Sequence, residues 1–512
     1  MGSPARHIAQ RIAALPRGAL TGQKRGIEKE SLRANADGSL ALTPHPVALG
    51  SALMHPHITT DYSESQLELI TGVHGSIAAC LAELRQIHAA VARSIGEEML
   101  WVSSMPCGLP SDETIPIGRY GTSNIGRAKS VYRMGLGHRY GRRMQTISGI
   151  HYNWSMPGLA SDDYFGLIRN FRRHVFLLML LFGASPALCS SFVAGRSHAL
   201  QQLAGSTLGL PHATSLRMGR LGYQSDAQAT LAVSYNSLDS YADSLHGALT
   251  QPHPAYEAVG VHNPGGEYNQ LATTLLQIEN EFYSTIRPKR VIESGERPLH
   301  ALRSRGVEYI EVRCLDLDPF ETVGIGAATL AFLDVFLLHC LLTPSAPDTP
   351  DEVAALARNQ ERTAARGREP GLRLERGGRE IVLAEWAAEL LAECAPIAAA
   401  LDEACGGSRH RDAVAAAGAA LRDTRLLPSA RVLDTMARDF DGSYIPFVRA
   451  RSAAVKRELL ADPWPATIDA RYRAMAAASL DAQQAVESAD RMPFEEFRRR
   501  YLDPAQLSPA GG

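Results

Sequence analysis

The sequence lacks several features that would place a protein in a class at once. Its seven cysteines are an odd number, are scattered, and include no Cys-x-x-Cys pair, which argues against a zinc ribbon and against a disulfide scaffold. The formal net charge is only −2 at pH 7, with 52 Lys plus Arg against 54 Asp plus Glu. Because no overall field favours nucleic acid or an anionic membrane, any phosphate recognition must be local, and we expect the thiols to be reduced and mostly buried.

Long apolar runs are also missing. The longest, residues 175–182, is far shorter than the roughly 20 residues that cross a bilayer, and we predict that it is a buried helix. Residues 1–10 have no apolar stretch of the kind that a secretory signal requires. We therefore expect a cytoplasmic protein with no membrane and no nucleic-acid partner. The length of 512 residues and the hydrophobic content of 45% are ordinary for a globular protein with a large core.

The glycine-rich motifs that bind nucleotides are incomplete. Residues 121–128 have the glycine spacing of a phosphate loop, but Arg127 and Ala128 stand where that loop needs Lys and Ser or Thr. Residues 135–141 are one residue out of step with the dinucleotide fingerprint, and no βαβ pattern follows them. Phosphate binding must therefore use metal ions, scattered Arg or Lys side chains, and backbone amides.

The composition of the chain changes near residue 345. From about residue 20 to that point, short β-branched or aromatic runs alternate with turns and longer helical patterns, which is an α+β texture. Prolines cluster at 344–350, and Ala- and Leu-rich stretches with helical spacing follow to the C terminus. We predict a catalytic region over residues 1–345 and a mainly helical region over residues 346–512, packed on the same unit.

Four segments predicted as strands carry polar or charged side chains on one face. Side chains two apart on a strand point to the same side, and the pairs that share a face are Glu28 and Glu30, Gln66 and Glu68, His151 and Asn153, and Glu311 and Arg313. An antiparallel sheet with one face in water also shows such alternation, and for any single segment that is the better interpretation. Solvated faces usually carry Lys, Thr and Ser, however, whereas these positions are mostly Glu, His and Arg.

If the four strands pair in one sheet, their carboxylates gather at one wall. Two unit charges about 4 Å apart repel by roughly 4 kcal/mol at an effective dielectric constant near 20, so the cluster requires protonation or bound cations. Oxygen ligands without a cysteine cluster favour Mg²⁺ or Mn²⁺ over zinc, and Mg²⁺ keeps positions open for substrate phosphates. The pattern therefore predicts a divalent-metal site for nucleotide chemistry.

Many separated motifs occur in the order found in one family, the bacterial type 1 glutamate-cysteine ligases, which the sequence resembles. The motifs are GIEKESLR at 26–33, ITTDYSE at 58–64, YGTSNIG at 120–126, the stretch 140–157 with MQTISGIHYNW, FGASP at 182–186, IENE at 278–281, IRPKR at 286–290, EYIEVR at 308–313 and, more thinly, SARVL at 429–433. The resemblance is dense from about residue 20 to residue 340.

The resemblance implies a glutamine-synthetase-like core, in which an antiparallel sheet forms one wall of the active site and metal ions bridge glutamate and ATP. The metal ligands that it implies are Glu28, Glu30, Glu68, His151 and Glu311. The residues that it places around the cysteine substrate are Tyr132, Tyr223 and Tyr283. It further implies that Arg217 binds a carboxylate, that Gln145 lies in the substrate pocket and that Arg313 contacts the reacting phosphate.

The activity that the resemblance implies is ligation of the γ-carboxylate of glutamate to the amino group of cysteine. ATP is the co-substrate, and Mg²⁺ or Mn²⁺ is the metal. The reaction passes through a γ-glutamyl phosphate, releases ADP and phosphate, and is the first step of glutathione biosynthesis. We expect a monomer or a weak oligomer. Two alternatives stay open: a related carboxylate-amine ligase with a different amine acceptor, and a non-catalytic binding protein on the same scaffold, against which the intact ligand set argues.

Overall fold

The computed structural model describes residues 4–222, 228, 231–293 and 295–508. The strands are β1 (Lys24–Ala34), β2 (Ile58–Thr60), β3 (Gln66–Ile70), β4 (Met99–Leu100), β5 (Ile150–Ser155), β6 (Ala187–Cys189), β7 (Gln201–Ala204), β8 (Thr207–Gly209), β9 (Ile286–Lys289), β10 (Tyr309–Leu315), β11 (Arg373–Arg376) and β12 (Arg379–Val382). The helices are α1 (Pro4–Ala13), α2 (Ile77–Ser94), α3 (Asn124–Tyr140), α4 (Ser161–Phe182), α5 (Leu238–Thr250), α6 (Pro254–Val259), α7 (Pro298–Arg305), α8 (Ala327–Leu342), α9 (Pro350–Arg366), α10 (Leu383–Cys405), α11 (Arg409–Arg422), α12 (Pro428–Asp439), α13 (Tyr444–Ala461), α14 (Ala466–Ala489) and α15 (Phe494–Leu502).

The main sheet has seven strands in the order β2-β3-β1-β5-β10-β9, and β4 pairs with the end of β1. Every neighbouring pair in it is antiparallel. The four segments that the alternation predicts to be strands are β1, β3, β5 and β10, and they are consecutive in the sheet. The predicted α+β class with an antiparallel sheet is therefore confirmed.

One face of this sheet is covered by helices. On β5 the side chains of Ile150, Tyr152 and Trp154 are buried, and α4 packs against β9 and β10 while α2 packs against β1 and β3. The apolar run at 175–182 lies in α4, and all but its last residue are fully buried, as predicted. Because the apolar side chains take this face, the alternate side chains of the same strands must point to the other.

After residue 350 the described elements are helices apart from the hairpin β11–β12. The helices α10 and α11 pack on α8, and α13 packs on α2, so their apolar side chains join the core of the earlier part of the chain. Arg85 of α2 also donates to Asp462 beyond α13 at 2.8 Å. The division of the chain at residue 345 stays a prediction.

The segment at 121–128 leads into α3, and acidic side chains accept hydrogen bonds from its backbone amides. The backbone N–H of Thr122 donates to Glu487 at 2.7 Å, and that of Asn124 donates to Asp490 at 2.5 Å. Carboxylates thus accept the hydrogen bonds that a phosphate at this helix N terminus would need.

The seven cysteines are all free thiols, and Cys405 alone among them is exposed. In the part of the chain that the structure describes, no helix combines the length and the apolar character needed to span a bilayer.

Candidate active site

The registers of β1 with its two neighbours place polar side chains directly beside each other. Glu30 is paired with Glu68 of β3, and Glu28 is paired with His151 of β5. Directly opposed residues of antiparallel strands have their Cβ atoms about 5 Å apart. Each of the two carboxylates of β1 therefore lies beside one predicted metal ligand of a neighbouring strand. His151 Nδ1 lies 3.3 Å from Glu28 Oε2.

The strand β10 completes the cluster from the far side of β5. Glu311 pairs with Asn153, and its Oε1 lies 3.4 Å from His151 Nδ1. The register then shifts, as at a β-bulge, and Arg313 lies in the shifted segment. Its Nη1 donates to Glu311 Oε1 at 2.7 Å, so the bulge places a guanidinium at the edge of the acidic cluster.

A cavity of about 640 Å³ opens over this face of the sheet, a volume typical of small-molecule sites. Residues of α3 also line the cavity. The predicted site residues that line the cavity are Glu28, Glu30, Glu68, Tyr132, Gln145, His151, Tyr283, Glu311 and Arg313. One cavity therefore brings together segments that are far apart in the sequence.

Arg217 and Tyr223 do not join this set. Arg217 is buried beside the bulge of β10 and is not among the described residues that line the cavity. Its Nη2 donates to the carbonyl oxygen of Arg313 at 2.9 Å, and its Nη1 lies 3.9 Å from Asp316. Tyr223 lies outside the described residues. The substrate-binding roles of both residues stay predictions.

A glycine is required where Arg217 approaches β5. The backbone N–H of Gly149 donates to Glu30 Oε2 at 2.6 Å, and a Cβ atom at Gly149 would lie 2.5 Å from Cζ of Arg217. We expect Gly149→Ala to lower the free energy of unfolding by about 1–3 kcal/mol, because an overpacked core has to shift. Calorimetric unfolding measures this. Gly75→Ala is the matched control, since its Cβ atom would meet nothing within 4 Å, and equal melting temperatures of the two variants would contradict the prediction.

Sequence reasoning missed several charged residues that line the cavity, which are Asp61, Lys129, Arg133, Arg287, Lys289, Glu293 and Glu296. For two of them the signal was present: Arg287 and Lys289 alternate with apolar residues on β9, and Arg287 pairs with Glu311. Lys129 and Arg133 are four residues apart on α3 and so share a helix face. Such spacing is also ordinary on solvated helices, so it gave no reason to place them in a site.

Burial and mutual repulsion raise the pKa values of two of the carboxylates. Burial, and then the nearby Asp61, raises the pKa of Glu30 to about 8. Burial, and then the charges of Glu28 and Asp61, raises the pKa of Glu68 well above its ordinary value. Without a bound cation, the carboxylates of the acidic wall therefore do not all ionise at neutral pH.

Two other ligands are held in the forms that bind metal. Burial alone would raise the pKa of Glu311, but the charges of Arg313 and Lys289 hold that pKa well below its ordinary range. Burial, and then Arg313, lowers the pKa of His151, which favours the neutral imidazole. An ionised carboxylate and a neutral imidazole are the forms that ligate a cation.

The geometry fits a divalent cation. Glu28, His151 and Glu311 each offer one ligand atom, and these atoms lie within 4.8 Å of one another. His151 Nε2 and Glu311 Oε2 are buried and have no hydrogen-bond partner among the described residues, although Lys289 Nζ lies 3.6 Å from the latter. Buried polar atoms normally have hydrogen-bond partners, so these two atoms are placed to coordinate a cation. An oxygen-rich set with one imidazole suits a hard cation such as Mg²⁺ or Mn²⁺.

An acidic sheet wall with arginine and lysine side chains around one cavity is the site that the predicted class requires, the ligases with a glutamine-synthetase-like core. Comparison with known proteins then identifies the family. The sequence model described as Glutamate-cysteine ligase matches residues 12–363. The chain belongs to the glutamate-cysteine ligase family, the enzymes that catalyse the first, ATP-dependent step of glutathione biosynthesis.

Relatives cover almost the whole chain. It is 49% identical over 508 residues to the glutamate-cysteine ligase of Azotobacter vinelandii, covering 95% of each chain. It is 45% identical over 523 residues to that of Alcanivorax borkumensis, covering 97% of this chain and 99% of the relative. The crystal structure of the Francisella tularensis glutamate-cysteine ligase in complex with AMP matches with a TM-score of 0.90 at 36% identity, covering 95% of this chain and 98% of that one.

A bifunctional glutathione synthetase from Pasteurella multocida shares the fold, with a TM-score of 0.69 at 23% identity, covering 92% of this chain and 57% of that one. Together these similarities confirm the predicted family, the predicted fold and the predicted ATP-dependent ligase activity.

Proposed function

We propose that this cavity binds glutamate, cysteine, ATP and a divalent cation, Mg²⁺ or Mn²⁺, and joins the γ-carboxylate of glutamate to the amino group of cysteine. The observation that carries the proposal is the convergence of Glu28, His151 and Glu311 on one wall with Arg313 and Lys289 beside them. The AMP in the Francisella tularensis structure supports the use of an adenine nucleotide.

The residues that would hold the divalent cations are Glu28, Glu30, Glu68, His151 and Glu311. Such cations, when bound, neutralise the phosphates of ATP and the carboxylate of glutamate. Asn153 Nδ2 donates to Glu28 Oε1 at 2.9 Å, and the backbone N–H of Gly149 donates to Glu30 Oε2. These hydrogen bonds orient two of the carboxylates before any ligand arrives, which limits the reorganisation needed on binding.

A carboxylate does not react with an amine at neutral pH, so it must first be activated. The γ-carboxylate of glutamate attacks the γ-phosphorus of ATP, ADP leaves, and an acyl phosphate forms. Arg313 Nη1 lies 2.7 Å from one oxygen of Glu311, and Lys289 Nζ lies 3.6 Å from the other. Glu311 therefore holds two positively charged side chains at this edge of the cavity. They stabilise the charge on the transferred phosphoryl oxygens by position and electrostatics, and no enzyme nucleophile is needed.

A tyrosine-rich part of the cavity is proposed to receive cysteine. Gln145 Nε2 donates to the hydroxyl of Tyr283 at 2.8 Å, the rings of Tyr283 and Tyr140 meet edge to face with centroids 5.6 Å apart, and Tyr132 lines the same cavity. Aromatic rings make favourable contacts with sulfur, which suits a small thiol side chain. The amino group of cysteine then displaces phosphate from the acyl phosphate, which completes the amide.

The release of ADP from ATP and Mg²⁺ tests this function, measured with glutamate alone, with cysteine alone and with both. We expect steady release only with both amino acids, because the acyl phosphate must be consumed before a second turnover. Short amino acids and polyamines in place of cysteine test the acceptor. Equal rates with another amine would favour a related ligase, and no release coupled to both substrates would favour a non-catalytic binding protein.

We further propose that residues 1–345 form the catalytic region and that residues 346–512 are packed on it as one unit. Nearly all of the described cavity-lining residues precede residue 345, and Val486 and Tyr501 supply the rest, which supports a close association of the two regions. We also propose that the chain works in the cytoplasm, where these substrates occur, as a monomer or a weak oligomer. Size-exclusion chromatography with light scattering tests the latter.

A further inference from the structure

A second group of metal-ligating side chains lies among the helices. His174 of α4, together with His339 and Cys340 of α8, offers ligand atoms that lie within 4.8 Å of one another. None of the three is among the described residues that line the active-site cavity. The proposed ligase reaction makes no use of them.

The orientation of His339 is set by a carboxylate. Its Nε2 lies 2.7 Å from Glu393 Oε2 of α10, and its side chain is fully buried. A carboxylate in this position favours the proton on Nε2 and leaves the lone pair on Nδ1. That Nδ1 has no hydrogen-bond partner among the described residues. A buried histidine with a carboxylate on one nitrogen and nothing on the other is the arrangement of a metal ligand.

The second imidazole repeats this feature. The rings of His174 and His339 have centroids 5.6 Å apart, and Nδ1 of His174 is likewise buried without a hydrogen-bond partner in the described part of the chain. Two unpaired imidazole nitrogens therefore lie in one cluster with the thiol of Cys340.

The third member decides which metal fits. Cys340 is fully buried, and a thiol that binds a divalent metal gives up its proton, so that a metal–sulfur bond forms as the S–H bond breaks and the proton passes to solvent. A thiolate with two imidazoles suits zinc and does not suit Mg²⁺. Bonds of about 2.0–2.3 Å put the ligand atoms of a tetrahedral site roughly 3.5 Å apart, so side chains whose ligand atoms lie within 4.8 Å of one another must close in on the ion when it binds.

We propose that His174, His339 and Cys340 form a zinc site, with water in the fourth position because Glu393 is engaged by His339. His174 and Glu393 are both partly exposed, which leaves a path for the ion to enter. The site joins α4 and α8 directly and α10 through Glu393. Zinc bound here links these helices, and the site lies apart from the ligase chemistry.

Cobalt is the probe for this site, because a thiolate ligand gives Co²⁺ a charge-transfer absorption band that carboxylate ligands do not give. The full-length enzyme, freed of metal with a chelator and kept in excess Mg²⁺ to occupy the acidic cavity, is titrated with Co²⁺. We expect the band to saturate at one Co²⁺ per chain, with release of one proton, and to disappear when Zn²⁺ is added. No band in the wild-type enzyme would overturn the proposal.

Variants of Cys340 test whether its thiol binds the metal. We expect Cys340→Ala and Cys340→Ser to lose the band, and Cys394→Ala to keep it, since Cys394 is a buried thiol of the neighbouring helix α10 outside the cluster. Circular dichroism and ligase activity show that each variant is folded, and at least one of the two Cys340 variants must pass that check. A band of equal strength in a folded Cys340 variant, or its loss in Cys394→Ala, would refute the assignment. Failure here leaves the ligase proposal untouched, because ADP release is measured separately.

Discussion

Replacement of Glu28 by Gln is expected to lower kcat/KM by about 10³-fold, which corresponds to ~4 kcal/mol of transition-state stabilisation. Glu28 Oε2 lies 3.3 Å from His151 Nδ1, and its Oε1 accepts a hydrogen bond from Asn153, so the carboxylate stands at the centre of the proposed ligand set. Gln keeps the volume and one oxygen but removes the negative charge that attracts a divalent cation. The fold should therefore survive while the metal affinity falls.

The measurement is ADP release over a series of Mg²⁺ concentrations, with circular dichroism as the check on folding. The matched control is Glu308→Gln, the same chemical change at an exposed carboxylate that does not line the cavity. We expect the control to behave as the wild-type enzyme. A Glu28→Gln enzyme with near-normal turnover at every Mg²⁺ concentration would refute the role of the acidic wall in metal binding.

Replacement of Arg313 by Ala is expected to lower kcat by about 10²–10³-fold, the range for loss of one preorganised charged donor. Arg313 lies in the bulge of β10, where its guanidinium contacts Glu311 and lines the cavity. Arg313 is proposed to act on the phosphoryl group while that group is transferred, so the loss should fall on kcat more than on the KM of glutamate. Arg313→Lys keeps the charge without the planar fork and should recover part of the rate.

The control for Arg313 is Arg290→Ala, because Arg290 belongs to the neighbouring motif at 286–290 and is not among the described residues that line the cavity. Its removal should leave both constants nearly unchanged. If Arg313→Ala raised the KM of ATP and left kcat alone, the residue would bind the ground state of the nucleotide and would not stabilise the transferred phosphoryl group.

Much of the acidic wall was predictable because a strand has a period of two. Glu28 and Glu30 share a face on any extended backbone, and so do Glu311 and Arg313. The same counting on 286–290 predicts the shared face of Arg287 and Lys289, which line the cavity. Lys129 and Arg133 were not predictable in this way, because their spacing on α3 is the same whether the helix faces water or a substrate.

Arg217 shows the other limit. Its type suits a substrate carboxylate, a role that stays a prediction, but residue type alone does not show that the fold buries it against Gly149 and the carbonyl oxygen of Arg313. Similarly, composition separates the helical residues after 345 from the earlier part, yet Val486 and Tyr501 reach the cavity. Which side chains reach a cavity depends on how distant elements pack, and no local pattern records that packing.

The sequence by itself determined the class of the fold, the family and the residues that share each strand face, because those follow from local periodicity and from ordered motifs. Only the tertiary structure decided that β1 lies between β3 and β5, that Glu30 meets Glu68 while Glu28 meets His151, and that a bulge carries Arg313 to the same wall. It also decided that histidines of α4 and α8 meet beside Cys340. Strand order, register and helix packing depend on long-range contacts, whose free energy appears only when the whole chain is folded.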